Sequence, residues 1–285
     1  FPLRYSDKDI DFGSFARRTK IRELDDVDLI HCLFSEGATY LDLGSHVTIT
    51  PSTGTRLARF CNNDGMLSSI RILNKFRDHL DEIPQYSASE VKRVGEAVSL
   101  NLTSYPWSFD IVPGFFTSPE VDGKTYYIIP NGRGDWMKTD PRIDRDRVTR
   151  INQEHDGQVL NIVRIMKYWN QRRTAPSVPS YLFECLVLNA YENSASTVSE
   201  NVGMEIAKIL SHISTNMSNP VRDPKGIDGN LNNLTLEQQT KVSSRAHDDL
   251  QKAIFALESE IEQNDHETAI DACRSILGST FPAYG

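Results

Sequence analysis

Cysteine is scarce in this chain and is not placed for a metal finger or a disulfide framework. Cys32, Cys61, Cys185 and Cys273 are the four present in 285 residues. They stand far apart, with no CxxC pair and no Cys/His cluster at zinc-ligand spacing. They read as reduced, structural thiols of a cytoplasmic protein. The seven histidines are scattered, and His31 and His46 merely flank strand-like segments. No apolar run approaches the roughly 18 residues that a membrane helix needs, so no membrane partner is expected. Positive charge is also in short supply: 31 Lys and Arg stand against 39 Asp and Glu, a net charge of −8. A grip on long DNA or RNA depends on basic surface meeting phosphates. The acidic balance therefore argues against a large polynucleotide substrate, while leaving room for a local basic pocket. There is no internal repeat and no low-complexity tract. Gly132 and Gly134 lack the third glycine and the strand–helix setting of a dinucleotide fingerprint.

What is present is ordinary for a folded globular chain: 39% hydrophobic and 25% charged residues. The length suits one large domain or two packed lobes. Residues 1–130 are mixed, with short β-rich runs at 24–30, 97–102, 108–112 and 125–129. Between them, Met66, Ile70, Leu73, Phe76 and Leu80 fall on one face of a helix. The polar, turn-rich segment 130–141 reads as the crossing into a second lobe, 131–285. Arg133 and Trp136 lie in it, where a nucleobase could sit. The second lobe reads as helical. Asp156 is placed to cap a helix whose stripe is Val159, Ile162, Val163, Met166 and Trp169. A nearly apolar helix over 180–193 is expected to be buried, and a third covers 202–215. Thr235 and Gln238 fit a capping box for a long helix to about Asn264, and a last helix ends near Gly278. These elements describe a small α/β lobe followed by a helical lobe, with a cleft between.

The chemistry concentrates in two strand-like runs. In an extended strand, side chains alternate between faces. In 24-LDDVDLI-30, Asp26 and Asp28 therefore share one face, Val27 and Leu29 point to the other, and Asp25, like Glu23, reads as solvated. In 108-SFDIV-112, Asp110 stands opposite Phe109 and Ile111. Carboxylates side by side repel, and a divalent cation is the usual offset. Three such acids can hold two Mg²⁺ ions (Mn²⁺ is the alternative), and hard oxygen ligands suit them. Upstream, Gly13-Ser14 forms a turn whose amides and hydroxyl can approach phosphate oxygens closely.

The strings 13-GSFARRTKIRELDDVDLI-30 and 108-SFDIVPGF-115 resemble the polymerase-β-type nucleotidyltransferase signature. More narrowly, they resemble the bacterial CD-NTase family, relatives of cyclic GMP-AMP synthase and oligoadenylate synthase. The resemblance extends to 161-NIVRIMKYWNQ-171, 179-PSYLFECLV-187 and 223-DP-224. It implies an α+β, bilobal polymerase-β-like fold, with a mixed-sheet catalytic lobe, a helical lobe and an active site in the cleft. By resemblance, Gly13 and Ser14 bind the donor triphosphate, while Asp26, Asp28 and Asp110 hold the metal ions. Asp110 also favours deprotonation of the acceptor hydroxyl. Lys167 and Ser180 match positions that touch the triphosphate tail, and Tyr181 matches an aromatic that stacks on a base. The zinc-binding insertion of the animal enzyme is missing, so no DNA activator is expected. The resemblance further implies nucleoside triphosphates (ATP, GTP or both) as substrates. The product would be a cyclic di- or trinucleotide made for anti-phage signalling (CBASS). An E1–E2-like conjugation partner at Gly285 follows from the same resemblance. From the residues alone, bland readings stay open: Lys167 as the solvated side of a helix, Tyr181 as a core aromatic and Ser180 as an N-cap. So do two other functions, a terminal transferase acting on RNA or a small molecule and a nucleotide-binding scaffold without turnover.

Overall fold

The computed structural model describes residues 2–21, 26–172, 177–192, 194 and 198–285. The expectations for Glu23 and Asp25 lie outside these residues. The chain divides into two compact units, Phe1–Arg145 and Asp146–Gly285. No helix among the described residues is long and apolar enough to cross a membrane.

In the first unit, the elements in order are β1 (Ile10–Phe12), α1 (Gly13–Ala16), β2 (Asp26–Cys32), β3 (Thr39–Asp42), β4 (Val47–Thr50), α2 (Ser69–Asp81), β5 (Glu90–Val94), β6 (Ala97–Asn101), β7 (Ser108–Phe116), β8 (Tyr127–Pro130), β9 (Trp136–Thr139) and the start of α3 (Pro141–Glu154). The strands form one mixed sheet in the order β1-β2-β7-β8-β9-β4-β3, with the β5–β6 hairpin attached through β6 to β7. Among the described residues, strands β2 and β7 pair in parallel and every other strand pairing is antiparallel. Strand β7 is the hub. Its first half lies between β2 and β6, and its last residues pair with β8. The core is apolar on both sides of this strand: Ile30, Val112 and Ile129 pack together, as do Phe115, Ile128 and Trp136.

Three expectations change here. Val27 and Leu29, expected in a core, are only half-buried, and the buried residues of β2 are Ile30 and Cys32, further along the face that carries Asp26 and Asp28. The segment after residue 130 turns back into the sheet as β9, paired with β8. Trp136 is consequently a fully buried core residue whose Nε1 donates to the Leu67 carbonyl at 2.8 Å, not an aromatic available to a base.

The second unit holds the rest of α3, then α4 (Val159–Gln171), α5 (Ser180–Asn189), α6 (Val202–Asn216), α7 (Leu236–Ile261) and α8 (His266–Leu277). The stripe Val159, Ile162, Val163, Met166 and Trp169 is buried as its period requires, against α5 residues such as Phe183 and Leu186. Helix α7 begins with the expected reciprocal cap: Thr235 Oγ1 accepts from the Gln238 amide at 3.2 Å, and Gln238 Oε1 accepts from the Thr235 amide at 2.9 Å. Gly278, at φ +102°, ends α8, where its N–H donates to Arg274 O. Asp156 does not cap α4. It sits at φ +54° in the preceding turn, and Gln158 takes the cap position without a side-chain bond. Helix α3, PRIDRDRVTRINQE, was not anticipated, because its sequence is too polar to show a strong apolar stripe.

Removing the Trp136 side chain takes away a large buried ring and a hydrogen bond. Trp136→Ala is expected to cost about 3–5 kcal/mol, read as a lowered urea midpoint. A change under about 1 kcal/mol contradicts this placement of β9.

Candidate functional site

The site follows from strand register. Asp28 on β2 is paired across the parallel ladder with Asp110 on β7, and Asp26 with Ser108. Residues at equal register on neighbouring strands face the same way, and so do residues two apart on one strand. Asp26, Asp28 and Asp110 therefore converge on one face, with one carboxylate oxygen of each within 4.8 Å of the others. On its other side Asp110 is paired with the buried Ser99 of β6, while its neighbour Ile111 packs toward Leu73, Phe76 and Val98. The apolar side of the strand is thus anchored while the acidic side is held in place.

The turn before this strand closes the site. Phe12, the last residue of β1, is paired with Asp28, and Gly13 follows at φ +68°. A Cβ on Gly13 would lie 1.7 Å from Asp28 Oδ2, so the missing side chain is what lets the carboxylate lie against the backbone. Ser14 is in the single turn of helix, α1, that follows. The Thr19 amide donates to Ser14 O at 3.0 Å, and Thr19 itself is fully buried, which folds the chain tightly back on the turn.

Electrostatics mark the same place. At about 4 Å two like charges repel by roughly 4 kcal/mol at the effective dielectric of a protein surface. Burial, reinforced by the charges of Asp26 and Asp110, pushes the Asp28 carboxyl up from 3.8 to about 6, with Lys20 and Arg17 pulling the other way. Lys20 Nζ donates to Asp26 Oδ1. Among the described residues this trio is the group of acids with metal-binding geometry. Its all-oxygen donor set suits a hard divalent cation. Sequence reasoning did not single out Lys20 and Arg17, although both stand inside the 13–30 string.

The remaining candidate residues lie in the second unit. Lys167 is not on the solvated side of α4; it is 4% exposed, and its ammonium meets Glu184 Oε2 at 3.2 Å. Ser180 is the exposed first residue of α5, and no side-chain bond caps that helix. Tyr181 is half-buried. Its hydroxyl accepts from Lys225 Nζ at 2.7 Å and donates to Asp223 Oδ1 at 3.4 Å, and the same ammonium lies 4.3 Å from the ring centre. Asp223 organises its whole loop, accepting from the amides of Ile227 and Asp228 at 3.0 Å each. Burial pushes its carboxyl up, but those amides and Lys225 more than offset this and hold it below the usual range. Lys225 was not anticipated; its partners are set by the loop, which composition does not display.

Two outcomes test the geometry. The Asp28 carboxyl is raised in the folded state, so its contribution is present below about pH 3.8 and is lost as pH rises through about 6. In EDTA, the urea midpoint is therefore expected to fall between pH 4 and 7, and Asp28→Asn is expected to flatten that fall. Identical slopes for the two proteins contradict the clustering. Gly13→Ala places a Cβ on Asp28 in a left-handed conformation, and should destabilise the first unit by more than about 1 kcal/mol in the same assay.

No family model matches the chain. A probable cyclic nucleotide synthase of Bacillus cereus strain VD146 is 40% identical over 286 aligned residues, which cover 100% of this chain and 85% of that protein. Among solved structures, CdnC of Escherichia coli MS115-1 with ATP superposes with a TM-score of 0.69 at 17% identity, covering 99% of this chain and 86% of the other. Vibrio cholerae DncV, a cyclic AMP-GMP synthase, gives 0.65 at 13% identity, covering 96% and 69%. The structural likenesses establish the fold, polymerase-β-like and α+β. Matched along its own whole length to a relative of this identity, the chain belongs to the CD-NTase family and is a nucleotidyltransferase that makes cyclic nucleotides.

Proposed function

We propose that the protein joins nucleoside triphosphates, ATP or GTP or both, into a cyclic di- or trinucleotide with release of pyrophosphate. The reaction would depend on Mg²⁺, and its product would serve as a second messenger in anti-phage signalling. The observation that carries the chemistry is the trio Asp26, Asp28 and Asp110, brought within 4.8 Å across the β2–β7 ladder. Lys20 pairs with Asp26, yet the crowded carboxylates still raise Asp28, and a divalent cation would offset the remaining negative charge. Two such ions, when bound, make an attacking hydroxyl easier to ionise and neutralise the triphosphate and the departing pyrophosphate.

The chain's own residues then divide the work. Gly13 and Ser14 present backbone amides and a hydroxyl to the donor's phosphates. Asp110 also favours loss of the acceptor hydroxyl proton. Lys167 and Ser180 are assigned to the triphosphate tail, with Glu184 Oε2 at 3.2 Å from the buried Lys167 ammonium. Tyr181 is assigned to the base, its ring braced by Lys225 and Asp223. Purine substrates are supported by two neighbours in fold, CdnC solved with ATP and DncV named for a cyclic AMP-GMP product. A CdnC complex with HORMA-deltaN, matched at a TM-score of 0.67 and 17% identity over 99% of this chain and 85% of the other, supports a protein partner.

Incubation with the four labelled triphosphates and Mg²⁺ is expected to give a phosphatase-resistant product. Asp26→Ala combined with Asp28→Ala should lower its yield at least about 100-fold. A double variant that keeps full yield sinks the proposal. Extension of a tRNA or oligo(A) primer in place of a closed product favours a terminal transferase.

A further inference from the structure

Lys20 is positioned by what precedes it. The chain leaves the Gly13 turn, is tied back by the Thr19 amide to Ser14 O, and buries Thr19 completely. Lys20 follows directly, and its Nζ donates to Asp26 Oδ1 with only 17% of its side chain exposed. Its charge also reaches Asp28, on which Lys20 and Arg17 are the two cations that oppose the crowding of the acids. A positive group thus sits against the same carboxylate that is assigned to a divalent ion.

We propose that Lys20 is an internal counter-ion of the Asp26–Asp28–Asp110 site, which competes with a divalent cation for Asp26 and turns away from it when the cation is bound. This rests on the metal-binding reading given above. An ammonium and a divalent ion on one carboxylate repel each other, so each weakens the other's hold. Lys20 limits the repulsion among the acids while the site waits for its cation, and it lowers affinity for a bare cation. It is a flexible ammonium rather than a fixed fork, and so can leave its partner without disturbing the strand. Once displaced, it carries its charge beside the Gly13-Ser14 turn, where a triphosphate would favour it. Cation and nucleotide would therefore bind more tightly together than either does alone.

The test is direct binding of Mn²⁺ to the nucleotide-free protein, followed by titration calorimetry or by the paramagnetic resonance signal of the free ion. Lys20→Met and Lys20→Gln are expected to tighten Mn²⁺ about tenfold, while Lys20→Arg stays near the wild-type value. Asp26→Ala with Asp28→Ala should abolish the binding and so locate it. Wild-type affinity, or weaker, in both neutral variants overturns the role of Lys20 and leaves the metal site standing. Absence of Mn²⁺ binding from wild type and variants alike overturns both readings. A smaller gain in Mn²⁺ affinity on adding a nonhydrolysable ATP analogue to Lys20→Met than to wild type supports the coupling; an equal gain overturns it.

Discussion

Three carboxylates cannot be crowded onto one sheet face unless the backbone fixes them there. The β2–β7 ladder supplies this constraint. It is the one parallel pairing among the described residues, and its register sets Asp28 against Asp110 with Asp26 two residues away on the same face. Apolar neighbours, the buried Ile30 and Val112 two residues further along the same face and the half-buried Ile111 on the opposite one, hold the strands against their own electrostatic repulsion. The Gly13 turn, the tether at Thr19 and the cations at Arg17 and Lys20 all take their places relative to that acidic face.

The helical unit solves a similar problem by different means. It carries charged groups into an apolar interior, and each is met by an opposite one: Lys167 by Glu184, and Lys225 by Asp223. Buried ion pairs add little net stability, but they fix the directions of the groups involved. The Tyr181 ring is held by such a pair rather than by packing alone. That arrangement suits a side chain whose proposed work is to present a flat face.

Much of this could be read in the sequence, and the limits have physical reasons. Alternation in 24–30 and 108–112 was enough to put Asp26 and Asp28 on one face and to predict the convergence with Asp110, because strand geometry has a strict period of two. Helices with strong stripes, α4 and α7, were also legible. Strands β3 and β5 and helix α3 were not, being short or polar enough that pairing and tertiary contact decide them. Trp136 looked available in a turn-rich stretch and proved to be core, since the strand that buries it depends on β8 and β4. The partners of Lys20, Lys167 and Lys225 were invisible for the same reason: which acid a lysine meets is a property of the fold. The paired position on β7 of a strand residue can be guessed, but the ammonium that sits on it cannot.

Strand β7 serves two neighbourhoods at once, lying between β2 and β6 near Asp110 and pairing with β8 at Phe115 and Phe116. Its reading frame against the sheet is thus shared between chemistry and core. A single residue inserted or deleted between Asp110 and Phe115 would put the two pairings out of step, so that β7 could keep its register with β2 and β6 or with β8 but not with both. Along this strand, then, one residue can stand in for another, but the length is fixed at both ends.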